Sequence, residues 1–215
     1  MSIVDMTITT TKGIDDLLAL ANTRHGPGGH HHARAETGDP EHDHLDDAGE
    51  ARAFLGGHDV DVPATPPPSA DLRSLRRLRD AVHALADGAA EPSARLASRL
   101  GADARYRLAD DGRIASDATG WRALVEDLLP ALIELRRQAD RLRACGNPLC
   151  RFLYVDRSRN RSRTWCDPAA CGNRVRVRRH RAGTDGAGAP ITRRAGSGAT
   201  AAARRRRRRS AARRG

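Results

Sequence analysis

Aromatic side chains make up 3% of this 215-residue chain, lysine occurs once, at Lys12, and cysteine is missing from the first 144 positions. With so few rings, a core has to be assembled from Leu, Val, Ile and Ala, and platforms for stacking unpaired bases are scarce. No stretch approaches the roughly 18 consecutive apolar residues of a transmembrane helix, so no membrane partner is expected. Met1 to Ile14 carries Asp5, Lys12 and several threonines but no apolar run of signal-peptide length. The expected compartment is therefore the reducing cytoplasm, in association with the nucleoid. A Ser-His-Asp order, a phosphate loop and an HExxH motif are all missing. Asp15, Asp16, Asp46 and Asp47 fall beside helices, where carboxylates cap or solvate, so no enzyme is expected. There is no internal repeat.

What is present is concentrated near the C-terminal end. Cys145 and Cys150 stand in CGNPLC, Cys166 and Cys171 in CDPAAC, with fifteen residues between the pairs. Two Cys-x4-Cys turns can present four thiolates to one tetrahedral ion, at about 2.3 Å each, which is the closed shell of a structural zinc site. No position is left for a substrate, so one structural Zn(II) is expected as a folding staple. Two disulfides would be the reading in an oxidising compartment, and iron on the same four sulfurs is a further alternative.

Charge divides the chain into three unlike pieces. Residues 1–144 hold 18 basic and 24 acidic side chains, residues 145–181 hold 10 Arg and 2 Asp, and residues 182–215 hold 10 Arg and 1 Asp. So much guanidinium on a small module implies a polyanionic partner, nucleic acid before an anionic surface. The expected domains are a helical one over 1–143, a metal module over 144–182 and a disordered basic tail over 183–215 that raises nonspecific affinity.

In the first piece, Ile14, Leu17, Leu18 and Ala21 recur at helical spacing, as do Leu45, Ala48, Ala51, Phe54 and Leu55. Asp71 is placed to cap a helix lined by Leu72, Leu75, Leu78, Val82 and Leu85, with Arg73, Arg76, Arg77 and Arg79 on a solvated face. Tyr106 to Ala109 and Arg113 to Ser116 flank Asp111-Gly112, a hairpin signature. A long helix is expected from about Gly120 to Arg143, kinked or broken at Pro130 and ending two residues before Cys145. The stretch of about 26–44 holds His30, His31, His32, His42 and His44. It could meet Zn, Ni or Cu transiently, but it reads as a flexible polar insertion because adjacent histidines have no preset geometry. Val60 to Ala70, with four prolines, reads as an extended spacer.

Within the metal module, Phe152 to Val155 is β-prone, and Asn160 suits a turn in a hairpin that returns the chain to Trp165. Asp167 and Pro168 then open a helix carrying the last ligand. Knuckle, hairpin and helix describe a treble-clef-like zinc finger. The expected architecture is mainly α with a small β-hairpin in the N-terminal domain, then this finger, then a disordered Arg-rich tail.

The run DRSRNRSRTWCDPAACGNRVRVRRHRA resembles the CGNR zinc finger family, named for the residues found here as Cys171, Gly172, Asn173 and Arg174. The likeness extends through Asp156, Ser158, Arg159, Asn160, Arg163, Trp165 and Cys166. In that family the finger follows a helical domain known as ABATE, which LLALANT at Leu17 to Thr23 resembles, and the proteins are regarded as candidate bacterial transcription regulators. The departures are the His/Gly-rich insertion and Arg176, where lysine is common.

On helix geometry Cys171, Val175 and Arg178 face the metal, Arg174 and Arg181 lie on one flank, and Arg176 and Arg179 on the other. Arg157, Arg159, Arg161 and Arg163 add a clamp from the turn, Asp156 pairs with a neighbour, and Trp165 packs on the helix. Such a ring suits phosphate contacts better than base reading. The expected function is a zinc-dependent DNA-binding regulator whose N-terminal domain senses a small molecule or mediates association, with a homodimer fitting paired half-sites. An RNA-binding or ribosome-associated protein is the runner-up, and an adaptor for an acidic partner comes next.

Overall fold

Apolar positions three and four apart draw the N-terminal half into helices. The computed structural model, which describes residues 12–26, 42–89, 91–110 and 112–185, sets them around one aliphatic core. Residues 12–176 belong to one compact unit, and 177–185 are the described part of a second. Helices α1 (Ile14–Ala21), α3 (Ser69–Ala86) and α5 (Gly120–Arg137) pack on one another through Leu17, Leu20, Leu75, Leu78, Val82, Leu128, Leu132 and Leu135. Short α2 (Ala48–Gly56) adds Ala51, Phe54 and Leu55, and α4 (Glu91–Gly101) lies against α3 and α5. Helix α4 was not expected from periodicity. Ser93 is its one buried residue, and Leu96, Ala97 and Leu100 meet the core half-buried.

Two helix boundaries differ from expectation. Helix α3 begins at Ser69 right after Pro68, so Asp71 is not its cap but sits in the first turn, where a carboxylate opposes the helix dipole favourably. Helix α5 is not broken at Pro130 but continues to Arg137. Proline lacks the N–H that would bond the carbonyl four residues back. That carbonyl, on Glu126, instead accepts the Tyr106 hydroxyl at 2.9 Å. Beyond α5 the chain does not stay helical up to Cys145. A single 3-10 turn (Ala139–Arg141) leads into a strand, because Leu142 is buried in the core and pairs with Val155.

Strands occur as three antiparallel pairs. Strand β1 (Arg24–His25) pairs β2 (His42–Asp43), and β3 (Tyr106–Leu108) pairs β4 (Ile114–Ser116) in the expected hairpin. Asp111 lies outside the described residues, while Gly112 has φ +78°, the left-handed conformation that its turn requires. Strand β5 (Leu142–Ala144) pairs β6 (Leu153–Val155), and Leu142, Leu153 and Val155 all join the main core. The cysteine-bearing segment is thereby seated on the helices rather than appended to them.

The arginines of α3 do not form a uniformly solvated face. Arg73 and Arg77 are not equivalent to their neighbours: Arg79 is 4% exposed and pairs with Asp43 of β2 and with Asp80, while Arg76 donates to the Leu45 carbonyl. On the same helix His83 donates from Nε2 to the Ala21 carbonyl at 2.9 Å. Burial pushes its pKa below 6.5, with Arg24 and Arg79 adding to that shift and Asp80 opposing it. The unfolded chain therefore takes up this proton first as pH falls. The stabilisation is complete above 6.5 and is lost as pH drops toward the folded value. Urea unfolding on either side of pH 6.5 should show a larger loss on acidification for wild type than for His83→Gln. Equal losses would remove this role.

Candidate metal centre and nucleic-acid interface

The first cysteine pair sits in the loop between β5 and β6, and a repeated tripeptide shapes it. Cys-Gly-Asn occurs at 145–147 and again at 171–173. Cys145 N–H donates to the Phe152 carbonyl at 2.8 Å, closing the loop, and Cys150 N–H donates to the Asn147 carbonyl at 2.9 Å. The second pair is presented by a π-helical turn (Pro168–Gly172) that continues into α6 (Asn173–Asp185). As expected, Asp167 caps that turn, accepting from Ala169 and Ala170 N–H at 2.7 and 3.0 Å.

These elements bring all four sulfurs within 4.8 Å of one another. Cys150 Sγ lies 3.6 Å from Cys166 Sγ, which lies 3.7 Å from Cys171 Sγ. A bond between sulfurs needs about 2.05 Å, so the pairs are free thiols and not disulfides. Around a tetrahedral Zn(II) with bonds of about 2.3 Å, neighbouring sulfurs stand about 3.8 Å apart, close to what is observed. Backbone and side-chain N–H groups also face the sulfurs: Cys166 N–H at 3.5 Å from Cys145 Sγ and Asn147 Nδ2 at 3.8 Å from Cys171 Sγ.

Electrostatics points the same way. Hydrogen bonding from Cys150, then from Cys166, draws the Cys145 thiol down, and the bond to Cys145 pushes both Cys150 and Cys166 up. Sulfurs this close resist ionising together. A dication at the centre reverses that cost and lets all four ionise, so this donor set fits zinc.

A protein-family model described as "Putative stress-induced transcription regulator", the ABATE domain, matches residues 17–139. The chain belongs to the ABATE family. The CGNR zinc finger model matches residues 141–183, the segment of this ABATE protein that holds all four clustered sulfurs and so supports zinc binding there. No curated protein matches the chain. Among the described residues, no helix of this ABATE protein is long and apolar enough to cross a membrane.

The return path from β6 to Cys166 is not the hairpin expected around Asn160. The partner of β6 is β5, upstream, and residues 156–165 form a loop in which Asn160 does lie in a turn, closed by Arg161 N–H donating to the Ser158 carbonyl at 3.3 Å. Asp156 organises this loop. Its carboxylate accepts from Ser158 N–H at 2.9 Å and Arg163 N–H at 3.0 Å. The Ser158 hydroxyl, then these backbone donors and Arg143, hold its pKa below the usual carboxylate range. Trp165 packs within the finger: a Cβ on Gly146 would stand 3.2 Å from its ring and one on Gly172 3.0 Å. Gly172 is thus needed for the close approach of this ring, while a Cβ at Gly146 would first meet Thr164, at 2.8 Å.

The candidate arginines of this ABATE protein divide into two sets. Arg163 is structural. It donates to the Trp165 carbonyl at 2.8 Å and to the Cys166 carbonyl, with its guanidinium 4.8 Å from the Tyr154 ring centre. Arg157 pairs with Asp15 at 2.9 Å and Arg161 with Asp140, both across exposed surface. Arg159 and Arg176 are exposed, and Arg174 is half-buried beside buried Val175. In the second unit Arg178, Arg179 and Arg181 are exposed. The basic tail from residue 186 and His30, His31 and His32 lie outside the described residues.

Asn22 is a residue that sequence reasoning missed. It stands at the end of α1, where its amide meets β6 beside the finger, accepting from Leu153 N–H at 2.7 Å and donating to the Leu153 carbonyl at 3.1 Å. Its position in LLALANT marks the family resemblance but carries no signal of what it would touch.

Proposed function

We propose that this ABATE protein is a cytoplasmic, non-enzymatic regulator that binds duplex DNA through its finger, with one structural Zn(II) held by Cys145, Cys150, Cys166 and Cys171. The observation that carries this reading is the excess of 10 Arg over 2 Asp across residues 145–181, on a loop and helix that the sulfur quartet fixes. Arg159, Arg174, Arg176, Arg179 and Arg181 contact phosphates. Arg157 and Arg161 exchange their exposed carboxylate partners for the backbone of DNA, an exchange made cheap by the small worth of surface ion pairs. RNA is disfavoured because the finger's aromatics are committed to packing: Phe152 and Tyr154 are buried and Trp165 lies against two glycines. The helical domain senses a small ligand or mediates pairing. An open cleft of about 320 Å³ between α3 and α4, lined by Arg77, Asp80, Arg95 and Arg99 among others, supports the ligand reading.

Binding of duplex DNA, RNA and single strands should be compared across a salt series. Duplex DNA is expected to bind tightest, with log affinity falling linearly against log salt. Arg159→Gln with Arg176→Gln should lower that slope by about 0.9 for each phosphate no longer neutralised. Preference for RNA at every salt concentration would overturn the proposal.

A further inference from the structure

His25, His42, His44 and Glu50 lie outside the finger, and their polar atoms converge. Strand pairing sets His25 opposite His42, and the two-residue period sends His42 and His44 to one side while Asp43 turns away to Arg79. Helix α2 delivers Glu50 to the same place, its first turn fixed by Asp47, which accepts from Gly49 and Glu50 N–H at 2.8 and 2.9 Å. Glu50 Oε2 then stands 3.1 Å from His42 Nε2 and 3.7 Å from His44 Nδ1. One ligand atom from each of the three residues falls within 4.8 Å of the others.

Hydrogen bonding assigns the ring nitrogens. His25 Nδ1 is 2.9 Å from the Gly26 carbonyl oxygen, which can only accept, so Nδ1 carries the hydrogen and Nε2 holds the lone pair. His25 Nε2 is 3.2 Å from His44 Nε2, so His44 Nε2 carries a hydrogen, while its Nδ1 lies on the side of Glu50. Holding an ion through Nδ1, His44 would keep its bond to His25 and place its ligand atom beside the carboxylate. His25 is completely buried and acts as the outer group that fixes the tautomer of a metal-binding histidine.

We propose that His42 Nε2, His44 Nδ1 and Glu50 form a second metal site, separate from the finger zinc, for a borderline divalent transition ion such as Zn(II), Ni(II) or Co(II). Two imidazoles and one carboxylate are the donors such ions take. With bonds of about 2.1 Å, tetrahedral neighbours stand about 3.4 Å apart, a value bracketed by the two distances to Glu50. Three protein ligands leave a position open to water, unlike the closed sulfur shell. His42 and Glu50 are exposed, so an ion enters from solvent without unfolding the domain.

The test uses the full chain with zinc in its finger, carrying His30→Ala, His31→Ala and His32→Ala so that the adjacent histidine run cannot compete. Titrated with Ni(II) in a calorimeter, this protein should bind one equivalent. Adding His42→Ala and Glu50→Gln should weaken that binding by about tenfold or more, with zinc content and circular dichroism unchanged. The proposal is overturned if the parent takes up no nickel, or if the further substitutions leave its affinity as it was.

Discussion

Replacing Cys150 with serine is expected to abolish stoichiometric zinc and to melt the finger while the helical core survives. Cys150 is completely buried and its sulfur lies 3.6 Å from that of Cys166, so the missing ligand has no substitute within reach. Zinc binding is worth about 10 to 16 kcal/mol in finger peptides. Nothing else holds the second knuckle in comparable strength, because the finger's own cluster is Phe152 and Trp165 around the four cysteines. Strand β6 should stay docked, since Leu153 and Val155 belong to the core of α1, α3 and α5. Trp165, pressed against Gly146 and Gly172, should become solvated. In a Trp121→Phe background, where Trp165 is the remaining tryptophan, its emission should shift red on substitution or chelation. Unchanged emission together with full zinc content would end the assignment of Cys150 as a ligand.

The second large effect is expected at Asn22. Its amide works as a one-residue strand beside β6, taking both the N–H and the carbonyl of Leu153 in a buried setting. Asn22→Ala leaves a buried donor and a buried acceptor without partners, at about 1 to 3 kcal/mol apiece. A combined loss of about 2 to 6 kcal/mol should appear as a lower urea midpoint with an unchanged slope. Asn22→Asp should not rescue it, because a carboxylate cannot donate to the Leu153 carbonyl. A loss below about 0.5 kcal/mol, the range of an ordinary surface change, would mean that the two bonds contribute little.

Both predictions join residues distant in the chain, and they mark where reading the sequence stops. The helices α1, α3 and α5 and the β3–β4 hairpin were legible because their side-chain periods are local. Pro130 shows the limit of such local rules, since the helix is not broken there. Proline chemistry forecasts a missing hydrogen bond, but the donor that replaces it, Tyr106, comes from a hairpin that no local rule places there. The expected helix from 138 to 143 failed because Leu142 gains a strand partner in Val155 and a place in the core. The arginines of α3 looked alike on the helix, and only the position of β2 separates buried Arg79 from exposed Arg77.

The metal chemistry splits along the same line. Four cysteines in two short turns specify a zinc shell almost without a fold, because thiolate softness and ligand spacing are properties of a few neighbouring residues. The histidines near residue 42 carry no such specification. Their convergence with Glu50 depends on a strand pair, a helix cap and the packing of α2, and the same applies to Asn22 against Leu153. Short-range chemistry is written in the order of residues, whereas the choice of partner across tens of residues is settled by which surfaces the core leaves facing each other.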